Sequence, residues 1–74
     1  IDDKEAIGNT YGQLGRLYSK RKEYEKALKF LYAARDKFRF IQSPCLDSIE
    51  GDIADIKNQL GKEQFEKLLK KAIR

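Results

Sequence analysis

The chain has 74 residues and a net charge of +4, with 38% charged and 41% hydrophobic residues, a balance that excludes a disordered protein and supports one compact unit. With one cysteine and no histidine it lacks the residues of the common Cys/His zinc sites and of Cys–His nucleophiles, so neither a metal nor a cofactor is expected. No run of about 20 apolar residues and no signal peptide is present, so we expect a cytoplasmic protein with no membrane partner.

The first helix is predicted over residues 3–20, because apolar residues recur there at three- and four-residue steps, the period of one helix face. Asp2 or Asp3 is expected to cap its start. The chain has no initiator Met and opens almost directly into this pattern, so we expect a piece of a longer polypeptide. The stripe predicted to face the core consists of Ala6, Ile7, Tyr11, Leu14, Leu17 and Tyr18.

A second apolar series, from Tyr24 to Ile41, predicts a helix over residues 23–41. It stops at Ser43-Pro44, because proline disfavours helical geometry in the residue before it. Proline is also favoured as the first residue of a helix, so we expect the next helix to begin at Pro44 with Ser43 as its cap.

The third helix is predicted over residues 44–60 and the fourth over 62–73, with Gly61 as the left-handed residue that ends the third. Such short connections favour antiparallel neighbours. The sequence therefore predicts an all-α fold in which two antiparallel helical hairpins, residues 3–42 and 43–74, stack as a fragment of an α-solenoid and form one unit.

The two hairpins resemble each other when they are aligned on their apolar positions. Tyr11, Leu14 and Tyr18 stand 42 residues before Ile53, Ile56 and Leu60, and Tyr24, Ala27, Leu28 and Leu31 stand 41 residues before Phe65, Leu68, Leu69 and Ala72. Self-similarity at such a period is typical of stacked solenoid units.

The spacing Tyr11-x-x-Leu14-Gly15-x-x-Tyr18, followed by Tyr24-x-x-Ala27 and Ala27-x-x-x-Leu31-x-x-Ala34, resembles the signature of the tetratricopeptide repeat. The resemblance is strong over residues 6–41 and weak over 44–73. Its period is closer to the long repeats of kinesin light chain than to the usual 34 residues. In the second hairpin Lys57 and Leu68 replace the small residues of the first, so we interpret it as a degenerate terminal repeat.

This resemblance implies a protein-interaction scaffold, not an enzyme, that binds a peptide or helix on a concave face lined by the first helix of each hairpin. Arg16, Lys20 and Lys57 would make that face basic and favour acidic peptides. The glycines of the first helix form a stripe that serves either helix packing or a ligand. The expected lining consists of Asn9, Gly12, Gln13, Arg16, Ser19 and Lys20, with Glu50, Ala54 and Lys57 from the second hairpin.

Two alternatives remain open at this point. The aromatic residues Phe30, Tyr32 and Phe40 lie off the apolar seam of the second helix. They either contact a neighbouring repeat or a second chain, as in a homodimer, or pack on the extended end of that helix and on the third helix. Residues 1–42 hold all the positive excess, and the basic turn 20–22 with a stacking tyrosine is a remote candidate for nucleic-acid binding.

Overall fold

The computed structural model describes residues 4–73, and within this range it is all-α, with no strand. Asp2 and Asp3, the predicted caps of the first helix, lie outside the described residues. All four predicted helices are present, and their ends fall within two residues of the predicted ones. In chain order they are α1 (Lys4–Lys20), α2 (Tyr24–Phe40), α3 (Leu46–Leu60) and α4 (Lys62–Ala72).

The link from α1 to α2 is a Schellman turn, in which two backbone bonds cap the last carbonyls of α1. Glu23 N–H donates to the Tyr18 carbonyl at 2.9 Å, and Lys22 N–H donates to the Ser19 carbonyl at 3.0 Å. Lys22 takes the left-handed conformation that this turn requires, with φ of 62°. A side chain at such a position is strained, since L-residues disfavour positive φ.

The link from α2 to α3 begins with the same turn, and Gln42 (φ 55°) occupies its left-handed position. Ser43 N–H donates to the Phe38 carbonyl at 2.9 Å, while the Ser43 hydroxyl accepts the N–H of Cys45 at 3.1 Å. Ser43 therefore caps the end of α2 with its N–H and stabilises the turn before α3 with its hydroxyl. The prediction that Ser43 caps α3 is wrong, because the residue at the N-cap is Cys45, which makes no side-chain capping bond. The regular helix begins at Leu46, two residues later than predicted, because Pro44 and Cys45 form a turn ahead of it.

Glycines bring α1 and α2 into close contact. A Cβ added at Gly15 would lie 2.6 Å from Cγ of Leu31 and 3.2 Å from the carbonyl oxygen of Ala27. A Cβ at Gly8 would lie 2.7 Å from Cε1 of Phe38. No side chain fits at either position, so the glycine stripe serves helix packing. Leu31 and Phe38 occupy the space that the missing side chains leave.

The predicted core stripe of α1 is wrong in part. Ile7 and Leu17 are exposed, at 38% and 49%, and Leu14 is only half-buried. The fully buried positions of α1 are its glycines at 8, 12 and 15. They lie roughly a third of a turn around the helix from the centre of the apolar stripe, at about 100° per residue. Because α2 packs against the glycine face of α1, the apolar stripe lies partly at the edge of the α1–α2 interface and partly on the surface.

The second hairpin is not a structural copy of the first. The interface between α1 and α2 is by far the largest in the fold, whereas α3 and α4 contact each other less than either contacts α2. The offset of 42 residues explains the difference, because it matches Gly8 with Glu50 and Gly15 with Lys57. The long side chains of Glu50 and Lys57 occupy the positions where glycine would be needed for α3 and α4 to pack as closely as α1 and α2.

Helix α2 is therefore the central element of the molecule. It packs against each of the other three helices, while α1 meets α3 over a small area. Its inner face is completely buried and forms one continuous core with residues of α3 and α4. That core consists of Ala27, Leu28, Leu31, Ala34, Phe38, Ile49, Ile53, Ile56, Phe65 and Ala72.

The glycine contact predicts opposite effects of two similar substitutions. Gly15→Ala should lower the free energy of unfolding by up to about 2 kcal/mol, because overpacking costs roughly 1–3 kcal/mol and the gain in helix propensity offsets about 1 kcal/mol of that cost. Gly51→Ala is the matched control, since a Cβ there meets nothing within 4 Å. It should raise stability by roughly 0.5–1 kcal/mol. Urea denaturation followed by circular dichroism measures both, and equal stability of the two variants would contradict the packing.

The two left-handed positions predict that glycine is stabilising there. Lys22→Gly and Gln42→Gly should each raise the free energy of unfolding by roughly 0.5–1 kcal/mol, since relief of positive-φ strain exceeds the entropy cost of glycine. Lys29→Gly, at an exposed position inside α2, should instead lower it by about 1 kcal/mol. The same denaturation experiment tests this, and a loss of stability at both turns would show that the Schellman geometry is wrong.

Candidate functional site

A cavity of about 220 Å³ opens between α1 and α3, and we call it the α1–α3 groove. Its floor is apolar, made by the ring of Phe38, the side chain of Ile49 and the bare backbone of Gly12. Ile49 packs directly on that backbone, because a Cβ at Gly12 would lie 2.9 Å from its Cδ1. The complete lining is Asn9, Gly12, Gln13, Arg16, Phe38, Cys45, Ser48 and Ile49.

The walls of the groove carry polar side chains that are exposed to solvent. Asn9 and Gln13 stand on the α1 side, and Ser48 stands on the α3 side. Each amide offers both a donor and an acceptor, and the hydroxyl offers the same in one atom. Cys45, the one cysteine of the chain, is half-buried at the end of the groove as a free thiol. The groove thus combines an apolar floor with neutral hydrogen-bonding walls.

Arg16 and Asp52 form an ion pair at the rim of the groove. Arg16 Nε donates to Oδ2 of Asp52 at 2.7 Å, and the two side chains are 50% and 25% exposed. This pair joins α1 to α3 and offsets the charge that made Arg16 a candidate for acidic ligands. An exposed pair of this kind contributes only about 0–1 kcal/mol to stability, so its main effect is on the local electrostatics.

The predicted concave face is therefore assembled in part. Asn9, Gly12, Gln13 and Arg16 lie together in the α1–α3 groove. Ser19 and Lys20 lie farther along α1, at its C-terminal end, and do not line the groove.

Lys57 lies on the other flank of α3. Together with Glu50 and Ala54 it lines a separate, shallow depression beside Tyr32 and Phe65. The physical reason is angular, because Lys57 stands roughly half a turn around α3 from Ser48, at about 100° per residue. Lys57 and Arg16 therefore cannot contact one ligand side chain together.

The groove residues that the sequence prediction missed are Phe38, Cys45, Ser48 and Ile49. On α3 the signal was ambiguous, because the apolar stripe has two polar flanks, one containing Ser48 and Asp52 and the other containing Glu50 and Lys57. Only the rotation of α3 about its axis decides which flank meets α1. That rotation is set by Ile49 packing on Gly12, a long-range contact.

Of the three aromatic residues considered for self-association, two pack within the chain. Phe30 stacks on Tyr18 with ring centroids 5.5 Å apart and lies 6.0 Å from the ring of Tyr11, so it belongs to the interface between α1 and α2. Tyr32 packs against the core, with the guanidinium of Arg35 over its ring.

Phe40 remains 74% exposed and carries Lys4 Nζ over its ring, 5.0 Å from the centroid. A homodimer contact at this residue stays a prediction.

The tyrosines next to the basic turn also have partners within the chain. Tyr18 stacks on Phe30, and the Tyr24 hydroxyl donates a hydrogen bond to Oε1 of Gln59. Base stacking on either ring would require these contacts to break. This weakens the physical basis of the nucleic-acid alternative, which then rests on the basic turn 20–22 and the positive excess of residues 1–42.

Among residues 4–73 no helix combines the length and the apolar character needed to cross a membrane. The same range contains no cluster of three or more acidic or cysteine side chains able to hold a metal ion. Comparison of the chain with models of protein families, with curated proteins and with solved structures finds no match.

Proposed function

We propose that the chain is a protein-interaction module that binds an extended peptide in the α1–α3 groove. The observation that carries this proposal is the combination of an apolar floor with amide and hydroxyl side chains along both walls. Extended peptides present unpaired backbone N–H and C=O groups together with alternating side chains. The amides of Asn9 and Gln13 are suited to the backbone groups, and the floor is suited to one apolar side chain.

The size of the groove favours a peptide over a small-molecule substrate. Sites for small molecules usually enclose about 300–1,000 Å³ and bury most of the ligand. The groove, at about 220 Å³, has room for a single large side chain. A peptide would insert one anchor residue there and run along the walls, without catalysis or a cofactor.

The sequence supports the same proposal through its resemblance to tetratricopeptide repeats, whose members bind peptides on the surface formed by the first helices of successive hairpins. In this chain those helices are α1 and α3, the two that border the groove. The long-period repeat assignment and a scaffold role in the cytoplasm are part of this proposal.

The ion pair at the rim modifies the expected ligand. Because Asp52 neutralises Arg16, the groove favours a peptide that is neutral near this point over an acidic one. An acidic anchor would first have to displace Asp52 from the guanidinium.

A groove-filling substitution tests the proposal. Peptides selected from a random displayed library on the wild-type chain should lose at least tenfold in affinity for Ser48→Phe, roughly the effect of excluding one buried apolar side chain. Asn58→Phe adds the same ring at an exposed α3 position outside the groove. Its affinity for the peptides should stay within about twofold of the wild-type value. Fluorescence anisotropy measures both. Failure to select any peptide, or equal binding by the two variants, would refute the groove as the site.

The ion pair predicts a switch in ligand charge. Asp52→Asn should raise affinity for an acidic derivative of a selected peptide by about threefold to tenfold at low salt, because it leaves the charge of Arg16 unbalanced. Glu50→Gln makes the same charge change on the other flank of α3, where Glu50 pairs with Arg35, and should leave that affinity unchanged. Equal gains in both variants would indicate a general effect of net charge instead of one at Arg16.

A further inference from the structure

The side of the first hairpin that faces away from α3 carries an uncovered apolar strip, which we call the outer face. Leu17 is 49% exposed, Ile7 38% and Ile41 36%. Leu14 is half-buried, and it is not among the side chains that pack on the described core. A shallow depression lined by Ala6, Ile7, Thr10 and Tyr11 lies on it. In full, the outer face consists of Ile7, Tyr11, Leu14, Leu17 and Tyr18 of α1, Phe30 and Ala33 of α2, and Ile41, which directly follows α2.

These residues share one side of the molecule. The stacked rings of Tyr18 and Phe30 join the exposed edge of α1 to that of α2. Around α1, Leu14 lies roughly 160° from both Gly12 and Arg16, and Leu17 lies roughly 100–140° from them, at about 100° per residue. The outer face is therefore centred on the side of α1 opposite the α1–α3 groove, and Leu17 lies at its edge, next to the groove residue Gln13.

The outer face has a basic rim. Lys26 and Lys37 stand on the same line of α2 as Phe30, at the four- and three-residue steps that keep residues on one helix face. Lys26 Nζ lies 5.5 Å from the ring centroid of Tyr18. Arg21 follows Leu17 at the end of α1, and Glu23, which pairs with Arg21 and Lys26, is the carboxylate nearest to them. The described rim is thus positive overall.

The other side of the same hairpin shows what kind of helix fits such a surface. Helix α3 lays an apolar stripe of Ile49, Ile53 and Ile56 on the hairpin, and all three are buried. Carboxylates flank that stripe and pair with basic residues of the hairpin, Asp52 with Arg16 and Glu50 with Arg35. An acidic-flanked apolar helix on a basic-rimmed apolar surface is a packing mode that this fold already uses.

The internal repeat links the two surfaces. At the offset of 42 residues, Ile7, Tyr11 and Leu14 match Ile49, Ile53 and Ile56 in turn. The α3 members of these pairs are buried under α2, whereas among the α1 members Ile7 is exposed and Tyr11 and Leu14 are only half-buried. The outer face therefore has the side-chain pattern of a helix-packing surface and lacks the helix within the described chain.

We propose that the outer face docks an amphipathic helix of a partner protein, with apolar residues at three- and four-residue spacing and carboxylates on its flanks. Charge argues against a second copy of this chain as the occupant, because a symmetric pairing through this face would bring the lysines of both rims together. A partner helix with carboxylate flanks would pair with the same lysines while its apolar stripe covers Leu14 and Leu17. This surface is independent of the α1–α3 groove.

A labelled synthetic helix with a leucine stripe and glutamate flanks is the probe, measured by fluorescence anisotropy against the whole chain. Binding is expected, and Leu17→Glu should weaken it roughly tenfold or more, the effect of losing one apolar anchor. Gln64→Glu, an exposed α4 position with the same charge change, is the matched control and should leave binding within about twofold. Circular dichroism confirms that both variants are folded.

Two further arms make the result decisive. Lys26→Glu combined with Lys37→Glu should abolish the preference for glutamate over lysine flanks in the probe, and Ser48→Phe should not change its binding. Equal binding of a probe with the same composition in scrambled order would overturn the proposal. Self-association of the chain that is abolished by Leu17→Glu would also overturn it. The proposal would equally fail if the chain bound anionic phosphatidylserine vesicles but not the probe.

Discussion

The contact between α1 and α2 at the glycines of α1 is the constraint on which the rest of the structure depends. Three glycines inside one helix cost about 1 kcal/mol each in helix propensity relative to alanine, so α1 is a weak helix by itself. It is held by the packing of Leu31 and Phe38 into the space that the glycines leave. Helix formation and tertiary packing are coupled in this hairpin.

That contact also builds the candidate site. Phe38 covers Gly8 with one edge of its ring and forms the floor of the α1–α3 groove, while Ile49 rests on Gly12 and fixes α3 beside α1. The groove therefore results from the packing of the core, and its polar walls are formed by side chains at the border of the buried residues. The same geometry turns Leu14 and Leu17 away from α3, which leaves Leu17 exposed and Leu14 half-buried.

Sequence periodicity predicted the four helices and their ends because Pro44 and Gly61 are strong local signals and the apolar series are long. It misassigned the inward face of α1, because glycine has no side chain and contributes nothing to a hydrophobic pattern. The signal lay in the spacing of positions 8, 12 and 15, which matches a helix face as well as the apolar stripe does.

The rotation of α3 could not be predicted for a different reason. Its apolar stripe fixes which residues are buried, but both polar flanks satisfy the pattern equally. Lys57 was grouped with Arg16 on the concave face, yet the contact of Ile49 with Gly12 turns Lys57 to the far flank. The difference between Glu50 and Lys57 and the glycines they match was visible in the sequence, and it explains why α4 packs mainly on α2.

Nuclear Overhauser effects in solution test the central contact most directly, because they report proton distances at the glycines themselves. Close packing at the glycines predicts cross-peaks from the α-protons of Gly8 to the ring of Phe38, of Gly15 to the methyls of Leu31 and of Gly12 to the δ-methyl of Ile49. If these side chains instead gave cross-peaks to Leu14 or Leu17, α1 would turn its apolar stripe inward, and the glycine contacts would be absent.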